Sequence, residues 1–349
     1  MTFAVPISTL PLVPSFSKLT KNEEKDLYWE KLIRDWMLPM HIKHFPGSHP
    51  ISLERKDLEF LKKNQDDFLV SLKSDGVRYI LYMTLRPDTK TPVCFLIDRS
   101  RNMYEIEVWA PEEYYDGTII DGELLWNLNN DNTTTFLAFD LIKLKGKMYT
   151  KQSYTQRLQA LDKIIFDDDT THTLEEIEDI IEEKDSMVSM NNLYNLKFKA
   201  KRFTPLNMLN IQWNDRHSTV YRHDGLIFTK NKDEYKHGSA NNSTFKWKPC
   251  YSIDVVVKNE EIYINEHNTD GLLVLDCIFN RKISIVKNKI AFDENDVLEC
   301  DIKLKNEVFE LFPMRIRSDK KYPNTLKTII SACTGLMDNV TIDELCQLF

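Results

Sequence analysis

Lys73-Ser74-Asp75-Gly76-Val77-Arg78 lies between two apolar runs, residues 68–72 and 77–85, that read as strands. The stretch has the form K-x-D-G-x-R. Four fixed positions at roughly one in 15 each arise by chance about once per 50,000 starts, hence in under about 1% of chains this long. On its own it also reads as a β-turn, in which Asp75-Gly76 makes a hairpin and the flanking Lys and Arg stay in water. A lysine is a nucleophile only as the free amine, and an unperturbed pKa of about 10.4 leaves little of that form at neutral pH. Desolvation and neighbouring cations lower it, and Arg78, Lys246 and Lys248 supply those cations if the sheet gathers them.

Further along come Asp121-Gly122-Glu123, Phe139-Asp140, Asp224-Gly225-Leu226-Ile227-Phe228, Lys246-Trp247-Lys248 and Arg317-Ser318-Asp319-Lys320. Each adjoins or lies within an apolar, strand-like segment. Singly they read as turns, core aromatics or exposed charges, with Trp247 packed beneath its two lysines; their order is what carries information. Strand character continues after Lys73 over residues 93–97, 104–108, 118–125 and 135–142, then a helix over 153–165 with Ser153 as N-cap. After Pro249 the texture changes to short strands at 253–257, 261–264, 272–279, 282–286, 297–304 and 308–312, as in a small β-barrel of OB type. A helical pattern of Leu326, Ile329, Ile330 and Cys333 leads to the end of the sequence. The expectation is an α+β protein with residues 1–249 as one domain, 250–320 as an OB-fold and 321–349 as a helical segment.

Composition bounds the rest. A chain of 349 residues with 42% hydrophobic residues and only 9 Gly suits two globular domains. No apolar run nears the roughly 18 residues of a membrane span, and no signal peptide pattern opens the chain, so an intracellular, soluble protein is expected. The six cysteines are far apart, without a C-x-x-C pair, and read as free, buried thiols of a reducing compartment. His41, His44 and His49 have no second cluster with which to complete a metal site. The net charge of −8 is concentrated: between residues 166 and 185 ten acids face only Lys184, which leaves about +1 elsewhere. Leu174, Ile177, Ile180 and Ile181 recur there at helical spacing, so the stretch reads as the solvated face of an amphipathic helix.

The ordered motifs resemble those of the covalent nucleotidyltransferase superfamily, which holds mRNA capping enzymes and ATP-dependent DNA and RNA ligases. Within it the chain is most similar to the small single-function guanylyltransferases of large DNA viruses, such as that of chlorella virus. Phe45-Pro46-Gly47, residues 51–57, Leu96-Ile97-Asp98-Arg99 and Thr341-Ile342-Asp343-Glu344-Leu345 support the likeness. The resemblance implies a nucleotidyltransferase domain of the ligase and capping-enzyme type, ATP-grasp-like, followed by an OB-fold. It implies that Lys73 takes GMP from GTP as a phosphoamide and passes it to the 5′-diphosphate end of RNA. Arg78 and Arg99 would hold the ribose, Phe139 would stack on guanine, and Lys201 would donate to the purine O6. Adenine has an amino group there, so a fixed donor would be left facing a donor.

By the same resemblance Glu123 and Asp224 organise a divalent ion, Mg²⁺ or Mn²⁺, while Lys246 and Lys248 face the α-phosphate. Arg317, Asp319 and Lys320 would meet the β- and γ-phosphates on closure of the second domain, with Asp254 near them. No triphosphatase or methyltransferase segment is apparent, so separate proteins are expected for those steps, in a nucleus or a viral factory. Two alternatives stay open. A polynucleotide ligase shares the nucleophile and the carboxylates, although Arg315-Ile316-Arg317-Ser318-Asp319-Lys320 with Pro323-Asn324 has the capping form. A non-catalytic, OB-containing RNA-binding subunit would share the fold, although Lys73, Glu123, Asp224, Lys246 and Lys248 are intact. No RNA-specific motif is present, only dispersed basic residues such as Arg281, Lys282, Lys287 and Lys289.

Overall fold

Along residues 77–85 nearly every side chain is apolar, which a strand tolerates only when both of its faces are covered. In the computed structural model Tyr79, Leu81 and Met83 enter one core and Ile80 and Tyr82 the other. The structure describes residues 16–128, 134–165, 188–189, 196–238, 240–266, 271–286, 290–317 and 320–349. The acidic stretch at 166–185, with its expected helix, lies outside them, as do Asp319, Lys287 and Lys289.

The strand Val77–Leu85 runs between Pro92–Asp98 and Thr118–Trp126 in an eight-stranded sheet, which continues through Met103–Ile106 on one side and Thr134–Leu144 on the other. These pairs are antiparallel; Leu196–Ala200 joins Thr134–Leu144 in parallel. One face is covered by the helix Tyr154–Ile164, which buries Leu161 and Ile164. Its start is fixed as the sequence suggests: Ser153 accepts from the Gln156 N–H and Gln156 reaches back, a capping box. The helix Asn22–Asp35 covers the other face with Tyr28, Trp29, Leu32 and Ile33.

A five-stranded sheet has, from one edge to the other, the strands Thr204–Pro205, Phe68–Ser74, His223–Lys230, Ala240–Trp247 and His49–Ser52. Phe68–Ser74 pairs with His223–Lys230, whereas Val77–Leu85 pairs inside the eight-stranded sheet. The two strands flanking Asp75-Gly76 therefore do not pair with each other, and the hairpin reading of the K-x-D-G-x-R stretch does not hold. The chain steps from one sheet to the other there. Gly76 allows the step: a Cβ would lie 2.4 Å from Leu125 Cδ2 and 2.5 Å from the Leu124 carbonyl oxygen.

Contacts divide the chain into two compact units, one of residues 12–51 and 64–246, the other of residues 52–63 and 247–349. In the second unit Ser252–Lys258 pairs antiparallel with Glu261–Asn265 and with Val297–Lys305, and Val308–Ile316 completes the path. Arg281–Ile285 then pairs with Val308–Ile316 in parallel. The ring closes through the chain: Leu275 N–H donates to the Ile262 carbonyl at 2.8 Å and Ile283 N–H to the Asp276 carbonyl at 3.1 Å. This is the small barrel expected from strand spacing. Its interior holds Ile253, Val255, Leu298, Ile302, Phe309 and Leu311, and the helix Leu326–Asp338 adds Ile329 and Cys333. Cys94, Cys300 and Cys333 are buried as expected, but Cys250 and Cys277 are exposed. No helix of the described residues is long and apolar enough to cross a membrane.

Candidate active site

Lys73 is the next-to-last residue of Phe68–Ser74, and its Nζ donates to Asp224 Oδ1 at 2.6 Å. A β-bulge makes the pair. His223 registers with Ser74 and Leu226 with Leu72, so Asp224 and Gly225 together stand opposite Lys73 alone. The extra residue turns the carboxylate of Asp224 onto the amine. Lys246 lies on the adjoining strand of the same sheet.

Lys201 follows Leu196–Ala200 directly, and its Nζ donates to Ser74 Oγ at 2.8 Å. Burial lowers its pKa from 10.5 to about 8, with Glu123 and Asp224 pulling upward and Lys73 pushing further down. Those opposing influences place Lys73, Lys201, Glu123 and Asp224 within electrostatic reach of one another.

Arg78 opens Val77–Leu85 opposite Glu123. Asp121, two residues before Glu123 and on the same face of its strand, is wholly buried and takes Arg78 in a bidentate pair, Nε to Oδ1 at 2.8 Å and Nη2 to Oδ2 at 2.5 Å. Burial alone would depress the guanidinium pKa, but the carboxylate of Asp121 outweighs it and raises the value, so Arg78 stays charged. The guanidinium lies 5.3 Å from the centroids of both Phe45 and Phe139. Phe139 reaches this place through a second bulge: Asp121 registers with Asp140 and Gly122 with Ala138, which leaves Phe139 as the unpaired extra residue. Lys201 Nζ stands 5.9 Å from the same ring.

Arg99 follows Pro92–Asp98, and burial lowers its pKa, as does Arg78; Asp121 and Glu123 act against the shift. His49 is lowered likewise by burial and then by Arg78 and Arg99. Asp98 shapes the turn that carries Arg99, since Oδ1 accepts the N–H groups of Ser100 and Asn102, each at 2.8 Å.

The structure thus gathers Lys73, Arg78, Arg99, Glu123, Phe139, Lys201 and Asp224 in the first unit. Lys248, Asp254, Arg317 and Lys320 belong to the second. There Asp254, 4% exposed, pairs with Arg317 Nη1 at 3.3 Å and with Lys320 Nζ, and Asn324 Nδ2 donates to it at 3.1 Å. Asp254 therefore does meet the cations of the last motif. Trp247 packs, as expected, with Nε1 donating to the Val340 carbonyl at 2.8 Å.

Sequence reasoning missed Asp121, Ser48 and Tyr235. Asp121 lies beside Glu123 within the stretch that reads as a strand, but nothing in the sequence shows that its carboxylate meets Arg78. Tyr235 sits in a polar loop with no pattern around it. Among the described residues no group of three or more His, Cys, Asp or Glu side chains could hold a metal ion. The chain offers two carboxylates here, Glu123 and Asp224. That suits an ion which keeps waters and substrate phosphates as its other ligands, the habit of Mg²⁺.

Residues 15–250 match the family model described as mRNA capping enzyme, catalytic domain. The chain is 27% identical to the mRNA-capping enzyme subunit alpha of Schizosaccharomyces pombe over 87% of its own length and 79% of that protein. It is 30% identical to the subunit alpha of Kluyveromyces lactis over 86% of its length and 68% of that protein. With the mRNA-capping enzyme of Danio rerio it shares 26% identity over 87% of its length but spans only 49% of that longer protein. The chain belongs to the mRNA capping enzyme family, and residues 15–250 carry that family's catalytic domain.

Proposed function

We propose that the chain is an mRNA guanylyltransferase that works through a lysyl-GMP intermediate on Lys73. The observation that carries this reading is the bulge at Asp224-Gly225, which holds the Lys73 amine at 2.6 Å beside a cationic, aromatic-walled site in a capping-family fold. In the first step Lys73 Nζ attacks the α-phosphorus of GTP. The N–P bond forms, the bond to the β-phosphate oxygen breaks, and pyrophosphate leaves. Asp224 orients the amine and is the nearest carboxylate to the proton it sheds. In the second step an oxygen of the terminal phosphate of 5′-diphosphate RNA attacks the same phosphorus, the P–N bond breaks and Lys73 regains its proton.

Phe139 offers its ring to guanine and Lys201 a donor to O6, while Arg78 and Arg99 take the ribose hydroxyls. Lys246, Lys248, Arg317, Asp319 and Lys320 are assigned to the phosphates as part of the same proposal, with Asp254 holding the cations Arg317 and Lys320. A divalent ion, Mg²⁺ or Mn²⁺, held by Glu123 and Asp224 would neutralise charge on the phosphates. Removal of the RNA γ-phosphate and cap methylation are assigned to other proteins, inside the cell. Release of RNA γ-phosphate by the purified chain would contradict that division.

The test is mass spectrometry of the chain after incubation with GTP and Mg²⁺. One added GMP on the peptide containing Lys73, absent in Lys73→Ala, is expected. An adduct from ATP but not GTP would make the chain a ligase, and no adduct with either would favour a non-catalytic RNA-binding role.

A further inference from the structure

Tyr235 lies outside every motif, in the loop that follows His223–Lys230, yet it is 9% exposed, with its ring 6.0 Å from Trp36. Its hydroxyl donates to Asp121 Oδ2 at 2.5 Å and accepts from the Ser48 N–H at 3.0 Å. Both partners lead to Arg78. Asp121 holds Nε and Nη2 of the guanidinium, and the Ser48 carbonyl accepts from Nη1. Tyr235, Asp121, Arg78 and Ser48 thus form a closed ring of hydrogen bonds. Gly47 lets the loop of Ser48 come this close, since a Cβ there would lie 2.6 Å from Arg78 Nη2 and 2.4 Å from Phe45 Cε1.

A guanidinium has five N–H bonds. Three are committed in this ring, which leaves one on each terminal nitrogen. Its Cζ also lies over the rings of Phe45 and Phe139, 5.3 Å from each centroid. A planar group held by a hydrogen bond at each of its three nitrogens resists rotation, so its two remaining donors keep one direction. Asp121 alone could not ensure this. A buried carboxylate has about four lone-pair sites, and with one partner missing it can slide along the guanidinium edge; the Tyr235 hydroxyl occupies the site that stops the slide.

We propose that Tyr235 is a positioning residue for the nucleotide: through Asp121 it fixes the Arg78 guanidinium in the orientation that meets the ribose hydroxyls of GTP. The proposal rests on the reading of Arg78 as a ribose contact. It is tested with the full chain by measuring lysyl-GMP formation against concentration for GTP, 2′-deoxy-GTP and 3′-deoxy-GTP, in the native protein and in Tyr235→Phe. The variant keeps the ring and loses only the hydroxyl. Native protein is expected to prefer GTP over at least one deoxynucleotide. Tyr235→Phe should raise the KM for GTP about tenfold, the scale of one hydrogen bond to a charged group, with a smaller change in maximal rate. Its KM for the disfavoured deoxynucleotide should move by less than about twofold, because the contact is already absent.

An unchanged KM for GTP in Tyr235→Phe overturns the proposal and leaves the ribose reading standing. An equal rise for GTP and both deoxynucleotides overturns it too, since Tyr235 would then support the site without acting through the ribose. If the native protein fails to distinguish the three nucleotides, the ribose reading falls and takes the proposal with it. Arg78→Lys gives a second arm that does not depend on how Tyr235→Phe folds: it keeps the charge but loses the bidentate grip, and it should reduce the preference for GTP over the same deoxynucleotide.

Discussion

At the scale of single residues, the site depends on side chains whose charge is set by their neighbours. Lys201 is the clearest case, because burial brings its amine down to about 8 while its Nζ stands 5.9 Å from the Phe139 ring. If Lys201 donates to guanine O6, the preference for GTP over ATP in lysyl-nucleotide formation should weaken as pH rises through about 8, where the amine loses its charge. Lys201→Met should remove most of that preference, by about 100-fold, and flatten its pH dependence. A ratio of kcat/KM that stays constant across that range in the native protein would argue against the role. Stability moves the other way. The folded-state pKa lies below the unfolded value of 10.5, so between about 8 and 10.5 the unfolded chain binds more protons and folding stability rises with pH. Lys73, Arg78 and Glu123 are legible as candidates in the sequence because they stand in short motifs whose order resembles that of a known family. Asp121 and Tyr235 were not, because each acts only through a neighbour brought near by folding.

Among the elements, strand existence was legible and strand irregularity was not. Short apolar runs separated by turn residues located Val77–Leu85, Thr118–Trp126 and Thr134–Leu144 to within about two residues. The end of Val308–Ile316 was read four residues early because Pro313 argues against a strand; the ladder tolerates it beside the register shift between Glu299 and Cys300. Nothing in the sequence announces the two bulges that aim Phe139 and Asp224, since a bulge is a relation between two strands. Gly122 sits at one of them, and its missing side chain leaves room for the ring of Phe136: a Cβ would stand 2.3 Å from Phe136 Cζ. Gly122→Ala should therefore push the Phe136 ring, and with it the Thr134–Leu144 strand that carries Phe139, out of place. A loss of about 1–3 kcal/mol in denaturant unfolding is expected, together with weaker GTP binding. Unaltered stability with unaltered GMP labelling would mean that the ring of Phe136 yields freely and that the bulge does not need this glycine.

For the whole molecule, the least legible feature is the path of the chain. Residues 52–63 precede Lys73 but pack with residues 247–349, so the second unit is assembled from two distant stretches. Two segments noted in the sequence for their resemblance meet there: Arg55 donates to Glu344 Oε1 at 2.6 Å and to the Asp338 carbonyl at 2.9 and 3.0 Å, closing the C-terminal end of the helix Leu326–Asp338. Arg55 also holds the Glu344 carboxyl below the usual range, so this contact contributes stability at neutral pH that is lost as pH falls through the folded-state pKa. The apolar anchors are deeper, with Leu53 1% and Leu61 0% exposed. Leu61→Ala should cost about 2–5 kcal/mol, as for other fully buried leucines. The informative measurement is where the loss appears. Hydrogen exchange should accelerate first in the distant barrel strands Ser252–Lys258 and Val297–Lys305, before the strands Val77–Leu85 and Thr118–Trp126 are affected. If protection falls first in residues 64–126 instead, the segment belongs energetically with its neighbours in sequence, and the division of the chain into these two units is not the one along which it unfolds.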